Sequence, residues 1–374
     1  MKQMMEGKNV LYICDYAAAY AGNFIASMTA LAEKVQENNQ VYFLLPAAAS
    51  QYSWAQTLPV DKSHIIWCDF TFRSLYSECR RLSGHLGRND TVVHTHFLAD
   101  FFLLAVRMSF SNVICHYHMT VPVCYNFSKK VKCLVRRIIY RHAVLIGVSE
   151  AVTEDLKHYF WKPACECISN AIDFGSLDKY SEGTDVPDQL RENGKFRILM
   201  HGTDFYRKAV DLAAAAIAEL NEEYNDSFSL FVTSHDVEDA QRLIETHVGK
   251  RTDICAMRPV TNIKKVYDSV DLFISPSRAE AFGYAVVESA YAQCQVAASD
   301  VPGQNTMKPV PGILWFEKDD VTDLKNAILK AKENADAGLV PGIKKEQRAF
   351  AVREFRIEKW VDQNLAVYNK YFGN

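Results

Sequence analysis

Residues 271–288 read DLFISPSRAEAFGYAVVE, and this stretch decides the fold. The run 271–275 is short and mostly apolar, as buried strands are, and apolar residues from Tyr284 onward recur at helical spacing. Gly283 lies between the two patterns, where a residue without a side chain lets the backbone approach a ligand closely. The stretch therefore predicts a strand, a loop and a helix.

The same alternation recurs in both halves of the chain. Strands are predicted at 10–14, 41–45, 65–68, 92–95, 113–117, 144–148, 196–200, 228–232, 271–275 and 296–299. Helices are predicted at 24–35, 209–220, 284–292 and 355–372. Near-continuous apolar strands that alternate with helices are typical of parallel sheets covered on both faces. The predicted class is α/β, with two doubly wound halves that meet across a cleft.

A polar stretch divides the chain nearly in half. Residues 181–195 read SEGTDVPDQLRENGK, in which Val186 and Leu190 are the only apolar residues apart from the turn-forming proline. Such a stretch, punctuated by glycine and proline, is typical of a linker. We predict a first domain over residues 1–180 and a second over residues 196–354.

Composition and charge exclude several classes of protein. The 374 residues carry a formal net charge of −3, so binding to nucleic acid through bulk positive charge is not expected. The apolar runs fall short of the ~20 residues that a membrane-spanning helix needs, and residues 1–8 do not resemble a signal peptide. The 10 cysteines form no Cys-x-x-Cys pair and are expected to be reduced thiols. We expect a cytoplasmic protein.

Several common phosphate-binding and catalytic motifs are absent from the sequence. It contains no Gly-x-Gly-x-x-Gly, no Walker phosphate loop and no Gly-x-Ser-x-Gly. Asp-x-Asp, a common sequence for holding a metal-bound nucleotide diphosphate, is also absent. A diphosphate ligand would therefore be neutralised by cationic side chains and helix N-termini, and no cofactor is expected.

Cationic candidates follow the first strand of the second half. Residues 201–208 read HGTDFYRK and lead into the helix predicted from Ala209. Gly202 permits a tight turn, and Arg207 and Lys208 stand at the start of a helix whose free N–H groups favour anions. This arrangement suits a pyrophosphate. The alternative is that both basic side chains are simply solvated.

Glu280 and Glu288 lie eight residues apart across the loop quoted above. Both can reach the carboxyl edge of the predicted sheet. An ionised carboxylate accepts several hydrogen bonds, so each suits a pair of vicinal hydroxyls on a sugar or a ribose. The alternative is that one glutamate complements the helix dipole and the other is solvated.

This Glu-x7-Glu spacing, in its strand, loop and helix, resembles the motif of retaining glycosyltransferases of family 4, of the bacterial polysaccharide type. Further landmarks follow in the family's order: Val-Ser-Glu at 148–150, Asn-Ala-Ile-Asp at 170–173, and Asp-Leu-Phe-Ile-Ser-Pro-Ser at 271–277. The resemblance spans roughly residues 10–370. It implies the GT-B fold of two Rossmann-like domains, with the last helix, 355–374, returning to the N-terminal domain.

The resemblance implies roles for residues of the second domain. Glu280 would hold hydroxyls of the transferred sugar, helped by backbone N–H groups near Phe282 and Gly283. Glu288 would bind the ribose of the donor nucleotide. The basic side chains of Arg207 and Lys208 would stabilise the departing diphosphate, where charge develops in the transition state.

Two residues of the first domain also match the family, and one residue of the second departs from it. Gly22 matches a loop glycine near the diphosphate and the acceptor, and His118 matches a histidine that touches the donor sugar. The family often has arginine after the strand-end glycine, Gly202, where this chain has Thr203. The phosphate clamp would then rest on the two basic residues that follow.

The implied function is metal-independent transfer of a sugar, with retention, from a UDP- or GDP-linked donor to a hydroxyl of a glycan or lipid-linked acceptor. Two alternatives stay open. One is a binding or scaffold protein with a degenerate GT-B site, which the threonine at position 203 motivates. The other is a different GT-B enzyme, such as a nucleotide-sugar epimerase.

Four histidines sit at the ends of two neighbouring predicted strands, namely His94, His96, His116 and His118. Alternate residues of a strand share a face, which invites a metal-site interpretation. We expect no metal here, and instead packing or hydrogen bonding at the cleft wall.

A basic stretch precedes the strand predicted at 144–148. It contains Lys129, Lys130, Lys132, Arg136, Arg137 and Arg141, with no acidic residue, and its apolar residues repeat at helical spacing. The pattern indicates a surface helix packed on the sheet. It also predicts attraction to anionic lipid head groups, worth about 1 kcal/mol for each basic residue. The protein would then be peripheral at the inner face of the membrane.

The chain has only 16 glycines. Compared with the family pattern, glycine is replaced at Asn38, Ala171, Ala209, Gln293 and Pro302, and it is kept at Gly22, Gly202, Gly283 and Gly303. We predict that the kept glycines face the donor.

Overall fold

A computed structural model describes residues 7–120, 137–160, 164–179, 187–190, 194–260 and 263–373, together with Met5 and Leu134. The chain divides into two compact units, one of Met1–Ala171 with Ile357–Asn374 and one of Ile172–Arg356. Among the described residues, every helix is too short or too polar to span a bilayer.

The strands of the described chain are β1 (Asn9–Cys14), β2 (Val41–Pro46), β3 (Ile65–Cys68), β4 (Thr91–His96), β5 (Asn112–Tyr117), β6 (Ala143–Gly147), β7 (Cys165–Cys167), β8 (Phe196–His201), β9 (Phe228–Thr233), β10 (Ile254–Met257), β11 (Leu272–Ser275), β12 (Gln295–Ser299) and β13 (Leu314–Phe316). The helices are α1 (Gly22–Gln36), α2 (Ser53–Gln56), α3 (Phe72–Leu86), α4 (Asp100–Ser109), α5 (Glu150–Phe160), α6 (Phe174–Lys179), α7 (Val210–Glu223), α8 (Val237–Val248), α9 (Ile263–Asp268), α10 (Tyr284–Tyr291), α11 (Val321–Asp336), α12 (Val340–Phe355) and α13 (Ile357–Phe372).

Each unit contains one parallel sheet. The first has the order β3-β2-β1-β4-β5-β6-β7 and the second the order β10-β9-β8-β11-β12-β13. The predicted α/β class with two parallel sheets is confirmed. The strands that the sequence did not predict, β7, β10 and β13, are all edge strands of three or four residues.

The last helix packs in the first unit, where Trp360 and Tyr368 join the core formed by β1 and α1. The predicted continuous helix over 355–372 is wrong at its start. Phe355 ends α12 in the second unit, and Arg356 is extended, with φ −71° and ψ 150°. Apolar residues continue at helical spacing through this break, so their spacing alone does not reveal it.

The units change earlier than the boundary predicted at residue 180. Phe174 stacks on Tyr291 with ring centroids 4.2 Å apart, and the Tyr291 hydroxyl donates to Asp178 at 2.5 Å, so α6 packs within the second unit. Of the predicted linker, residues 181–186 and 191–193 lie outside the described residues. Leu190 is buried, and its carbonyl accepts a hydrogen bond from Arg197.

Two positions where the sequence lacks an expected glycine have a left-handed backbone. Ala209 has φ 54° at the start of α7, and Gln293 has φ 62° just after α10. At the end of α10 the Cys294 N–H donates to Ser289 O at 3.0 Å. This is the Schellman arrangement, in which glycine is the preferred residue at position 293.

We predict that Gln293→Gly stabilises the protein. The exposed Gln293 loses no packing, the left-handed strain of about 1–2 kcal/mol is removed, and the added freedom of the unfolded chain costs about 0.5–1 kcal/mol. The free energy of unfolding in urea should rise by about 0.5–1 kcal/mol. Lys330→Gly, at an exposed helical position of the same unit, should lower it by about as much. A loss of stability in Gln293→Gly would contradict the assigned strain.

Candidate active site

The strand order of the second sheet reverses beside β8, which lies between β9 and β11. Ligands of open α/β sheets bind outside the carboxyl ends of the strands at such a switch point. The loop after β8 carries Arg207 and Lys208, and the loop after β11 carries Glu280. The topology therefore brings the predicted cationic and carboxylate residues to one edge of one sheet.

Three predicted site residues form one ionic network. The Glu280 carboxylate accepts hydrogen bonds from Lys208 Nζ, in a close ion pair, and from Arg207 Nη1 at 3.4 Å. Ser277 Oγ donates to the same carboxylate oxygen at 3.0 Å. Arg207 Nε also donates to Asp204 at 2.7 Å. The Lys208 and Glu280 side chains are only 17% and 13% exposed, so their pair is largely shielded from water.

Arg278 fastens the two loops together. Its guanidinium donates to both carboxylate oxygens of Asp211, at 2.9 and 2.8 Å, and to the carbonyl of Tyr206 at 2.6 Å. The hydrogen bonds to Asp211 raise the pKa of Arg278. Burial alone would raise the pKa of Asp211, but the hydrogen bonds and charge of Arg278 outweigh burial and lower it. The role of Arg278 was not predicted from the sequence, because its partner Asp211 lies 67 positions away.

Two glycines shape the loop that carries Glu280. A Cβ at Gly303 would lie 2.0 Å from the Glu280 carbonyl oxygen, so only glycine lets the loop pass there. Gly283 has φ +84° at the start of α10. Phe282 is buried, with its ring 5.4 Å from Phe355. Within the described part of the chain, the backbone N–H groups of Phe282 and Gly283 have no hydrogen-bond acceptor.

A hydrogen-bonded group of three side chains, those of His201, Thr233 and Tyr267, lies at the end of β8, within range of the charge of Glu288. His201 Nδ1 bonds to Thr233 Oγ1 at 2.7 Å, and Nε2 bonds to the Tyr267 hydroxyl at 2.8 Å. Burial, and secondarily the charge of Lys208, lowers the pKa of His201 to about 4, so the ring is neutral at pH 7. Burial and then the negative charge of Glu288 raise the pKa of Tyr267. His201 directly follows a predicted strand, a signal that could have identified it.

Gly202 and Thr203 begin the loop after β8. A Cβ at Gly202 would lie 2.4 Å from Val232 Cγ1, so the glycine there is required by packing within the second unit. Thr203 is exposed. Its side chain is thus accessible at the carboxyl edge, without the positive charge that the family pattern often has.

Gly22 and His118 belong to the first unit. Gly22 begins α1, and the neighbouring Phe24 ring lies edge-to-face with His118 at 5.1 Å. The His118 ring stacks on Phe97 at 4.3 Å and its Nε2 lies 3.0 Å from His96 Nδ1. Burial lowers the pKa of His118 to about 3. The structure thus groups His118 with the other three histidines of the sequence analysis.

A cavity of about 890 Å³ opens at the carboxyl ends of β9 and β10 in the second unit. Residues 235–238 and 256–258 line it, with Pro187 and Val260. Its volume falls within the range of ~300–1,000 Å³ that is typical of small-molecule sites. Because β9 adjoins β8, the cavity lies on the same edge of the sheet as His201 and Thr233.

The predicted basic helix is only partly described. Lys129, Lys130, Lys132 and Arg136 lie outside the described residues. Arg137 Nε donates to the Tyr159 carbonyl at 2.8 Å, so this arginine fastens the segment to α5. Leu134 and Ile138 are 55% and 70% exposed.

We predict that Arg278→Met lowers the free energy of unfolding by about 1.5–3 kcal/mol at pH 7, because Asp211 loses two charge-assisted hydrogen bonds. The lowered pKa of Asp211 means that the pair stabilises the fold above the ordinary carboxyl pKa of 3.8, and that this contribution is lost as the pH falls through the lowered value. The difference from the parent in urea unfolding should therefore narrow below pH 3.8. Arg242→Met breaks an ion pair whose arginine is 69% exposed and should change stability by less than about 1 kcal/mol. Equal changes in the free energy of unfolding in Arg278→Met and Arg242→Met would refute the stabilising role assigned to the Arg278–Asp211 pair.

Comparison with known proteins finds sequence similarity to glycosyltransferases over part of the chain. Residues 195–334 match the family model described as glycosyl transferases group 1. The phosphatidylinositol N-acetylglucosaminyltransferase GPI3 subunit of Saccharomyces cerevisiae strain YJM789 is 26% identical over 155 residues, which are 41% of this chain and 34% of that protein. The same subunit of strain S288c is 27% identical over 139 residues, 37% and 31% of the two chains. The chain thus covers about a third of the length of the curated relatives it matches.

Solved structures match nearly the whole chain. The glycosyltransferase from Rickettsia africae ESF-5 has a TM-score of 0.76 at 15% identity, covering 98% of this chain and 99% of that one. Sucrose-phosphate synthase from Thermosynechococcus elongatus has a TM-score of 0.74 at 17% identity, with coverage of 98% and 99%. Anabaena HepE in complex with UDP has a TM-score of 0.73 at 14% identity, with coverage of 97% and 100%. The chain therefore has the GT-B fold that the sequence resemblance implied, and its residues 195–334 match the glycosyl transferases group 1 family.

Proposed function

We propose that the protein is a retaining glycosyltransferase that transfers a sugar from a nucleoside-diphosphate sugar to an acceptor hydroxyl, in the assembly of cell-surface polysaccharide or glycolipid. The observation that carries the proposal is the network of Arg207, Lys208 and Glu280 at the switch point of the second sheet. The fold and the family match of the second unit support it. The HepE structure holds UDP, which favours a UDP-linked donor over a GDP-linked one.

The cations act on the diphosphate. Lys208 and Arg207 stand just before α7, so a diphosphate there meets two positive side chains and the positive end of a helix. Negative charge grows on the leaving phosphate as the glycosidic bond breaks, and cations already fixed at that place stabilise it most in the transition state. The donor therefore needs no metal ion for its charge.

Glu280 acts on the sugar. Its carboxylate already holds Lys208 and Ser277, and an ionised carboxylate has room to accept further hydrogen bonds from sugar hydroxyls. The backbone N–H groups of Phe282 and Gly283 are donors for hydroxyl oxygens of the same ring. The hydroxyl pattern of the donor sugar is thus met by one carboxylate and two main-chain donors from a single loop.

Glu288 and the cavity act on the nucleoside. Glu288 lies near Tyr267 beside the end of β8, where its carboxylate can accept from both ribose hydroxyls. The cavity at the ends of β9 and β10 then receives the base. A nucleotide would lie along one sheet edge, with its diphosphate at Lys208. Thr203 adds a neutral hydroxyl to this path.

Retention follows from reaction on one face of the sugar. We assign no side chain as nucleophile or general base. The bond from the anomeric carbon to the diphosphate breaks, the acceptor oxygen bonds to the same face, and the departing phosphate takes the acceptor's proton. The roles of Gly22 and His118 of the first unit stay predictions from the family resemblance.

We predict that Lys208→Ala lowers donor turnover by about 10²–10³-fold, the loss expected when a fixed group that stabilises transition-state charge is removed. A thermal-shift screen against UDP- and GDP-sugars first identifies the donor, since a ligand that binds only the native state raises the apparent stability. Nucleoside diphosphate release is then measured with and without simple glycosides, and NMR of the product gives its anomeric configuration.

Lys332→Ala is the matched control, because this lysine pairs with Asp336 on an exposed helix. Unchanged turnover in Lys208→Ala would sink the proposed role. Donor binding without any turnover would favour the scaffold interpretation, and a sugar that is epimerised rather than transferred would favour the epimerase.

We also propose that the acceptor is presented at an anionic membrane surface. The name of the matched yeast proteins includes phosphatidylinositol, and the basic stretch of residues 129–141 contains Leu134 and Ile138, which are exposed. Positive charge beside apolar side chains favours a peripheral position on anionic lipid.

Replacing Lys129, Lys130, Lys132 and Arg136 with glutamine should weaken binding to phosphatidylserine-containing vesicles at least tenfold, at about 1 kcal/mol for each charge. Arg137 is left in place because it bonds to Tyr159. Binding is measured by vesicle sedimentation, with pure phosphatidylcholine vesicles as the lipid control. Lys330→Gln with Lys332→Gln is the protein control. Equal sedimentation of the variant and the parent would reject the membrane surface.

A further inference from the structure

Four histidine rings gather at the carboxyl ends of two neighbouring strands in the first unit. His96 of β4 is the register partner of His116 of β5, and His94 precedes His96 on the same face. His94, His96 and His116 are 0%, 0% and 4% exposed. The rings lie close together, with centroids of His94 and His96 4.2 Å apart and those of His116 and His118 4.6 Å apart.

Hydrogen bonds fix the proton positions on one pair of rings. The Tyr368 hydroxyl donates to the Tyr12 hydroxyl at 3.2 Å, so its oxygen accepts the proton of His94 Nδ1 at 2.7 Å. A neutral imidazole carries one proton, and His94 Nε2 is therefore an acceptor. It faces His116 Nδ1 at 3.3 Å, which must donate. His116 Nε2 is left as a bare lone pair.

The other pair has a similar arrangement. His118 forms a hydrogen bond with the side chain of Asn170, and its Nε2 lies 3.0 Å from His96 Nδ1. With His96 Nδ1 as the donor of this bond, His96 Nε2 is a second bare lone pair.

Two buried nitrogens without a partner need an explanation. Among the described residues, no hydrogen-bond donor reaches His96 Nε2 or His116 Nε2. A buried acceptor left unpaired costs about 1–3 kcal/mol. Both lone pairs belong to one cluster. His96 has the pattern of a metal-bound histidine, with Nε2 free for the metal and Nδ1 held by His118, which is not one of the three proposed ligands. The pairing of His116 Nδ1 with His94 Nε2 would be given up when the ion binds.

We propose that His94, His96 and His116 bind one divalent transition-metal ion of the Zn²⁺ type. One ligand atom from each of the three rings lies within 4.8 Å of the others. Two nitrogens on one tetrahedral zinc at 2.0–2.1 Å are about 3.4 Å apart, so the rings close by about an ångström on binding. Neutral imidazoles suit zinc and its neighbours and do not suit Mg²⁺ or Ca²⁺, which take oxygen ligands.

The third ligand and the outer partners come from three elements. His94 supplies the nitrogen that now accepts the long 3.3 Å bond from His116, the weakest bond in the cluster. Its Nδ1 stays on Tyr368 of α13. The ion would thus join β4 and β5 and, through the tyrosine, brace the last helix. This proposal differs from the expectation from sequence, which was packing or hydrogen bonding without a metal.

The test uses the full chain, stripped with EDTA and then titrated with ZnCl₂ alone. We expect one tight Zn²⁺ per chain by calorimetry, a rise in the thermal transition that EDTA reverses, and no rise with MgCl₂. Co²⁺ added to the stripped parent should give the visible absorption of a tetrahedral site. This measurement needs no variant and holds even if a substitution prevents folding.

The variants His96→Gln and His116→Gln should no longer bind one tight Zn²⁺ per chain. Their folding is checked by circular dichroism. His201→Gln is the matched control, because His201 is also a strand-end histidine, half-buried, and has partners on both ring nitrogens. It should keep full binding. No tight Zn²⁺ in the stripped parent, or tight binding that persists in both variants through exposed histidines, would overturn the site. The zinc titration of the parent uses no sugar donor, so the metal site and the transferase proposal can fail separately.

Discussion

The ion pair between Lys208 and Glu280 is the interaction on which the candidate active site depends. The two side chains come from different loops. Each is largely shielded from water, so burying either charge without the other would be unfavourable. Removing one partner of such a pair leaves a poorly solvated charge, which costs more than the pair contributes. The site is therefore already organised. In the proposed reaction a diphosphate would find Lys208 held in place, and Glu280 would stay anchored by Ser277 while it accepts sugar hydroxyls.

The pair persists only because the backbone around it is fixed by contacts that carry no chemistry. Arg278 bonds to Asp211 and Tyr206 and so prevents the two loops from separating. Gly303 lets the Glu280 backbone come close to the next loop, where any Cβ would collide. A site of two mobile loops would lose the orientation on which electrostatic stabilisation of a leaving group rests. Here the loops are held by a bidentate salt bridge and a steric requirement for glycine.

The sequence predicted what short-range patterns control. Apolar runs located the central strands of both sheets, and the order of strands and loops placed Arg207, Lys208 and Glu280 at one edge. The edge strands β10 and β13 were missed, whereas the equally short edge strand β3 was predicted. The break at Arg356 was missed because the apolar period continues through it. Long-range partners, such as Asp211 for Arg278, leave no mark in a single sequence.

In the histidine cluster, the hydrogen bonds of the ring nitrogens carry information that residue spacing does not. The spacing of the four histidines in the sequence predicts that their rings lie at neighbouring strand ends. It does not distinguish packing, hydrogen bonding and metal binding. Four neutral rings carry four protons and four lone pairs. With Tyr368 accepting from His94 and His118 Nε2 accepting from His96, two of the four lone pairs have donors, and His96 Nε2 and His116 Nε2 are the two that have none. A cation bound between the rings would serve as a partner for both nitrogens, which is the physical reason for the proposed site.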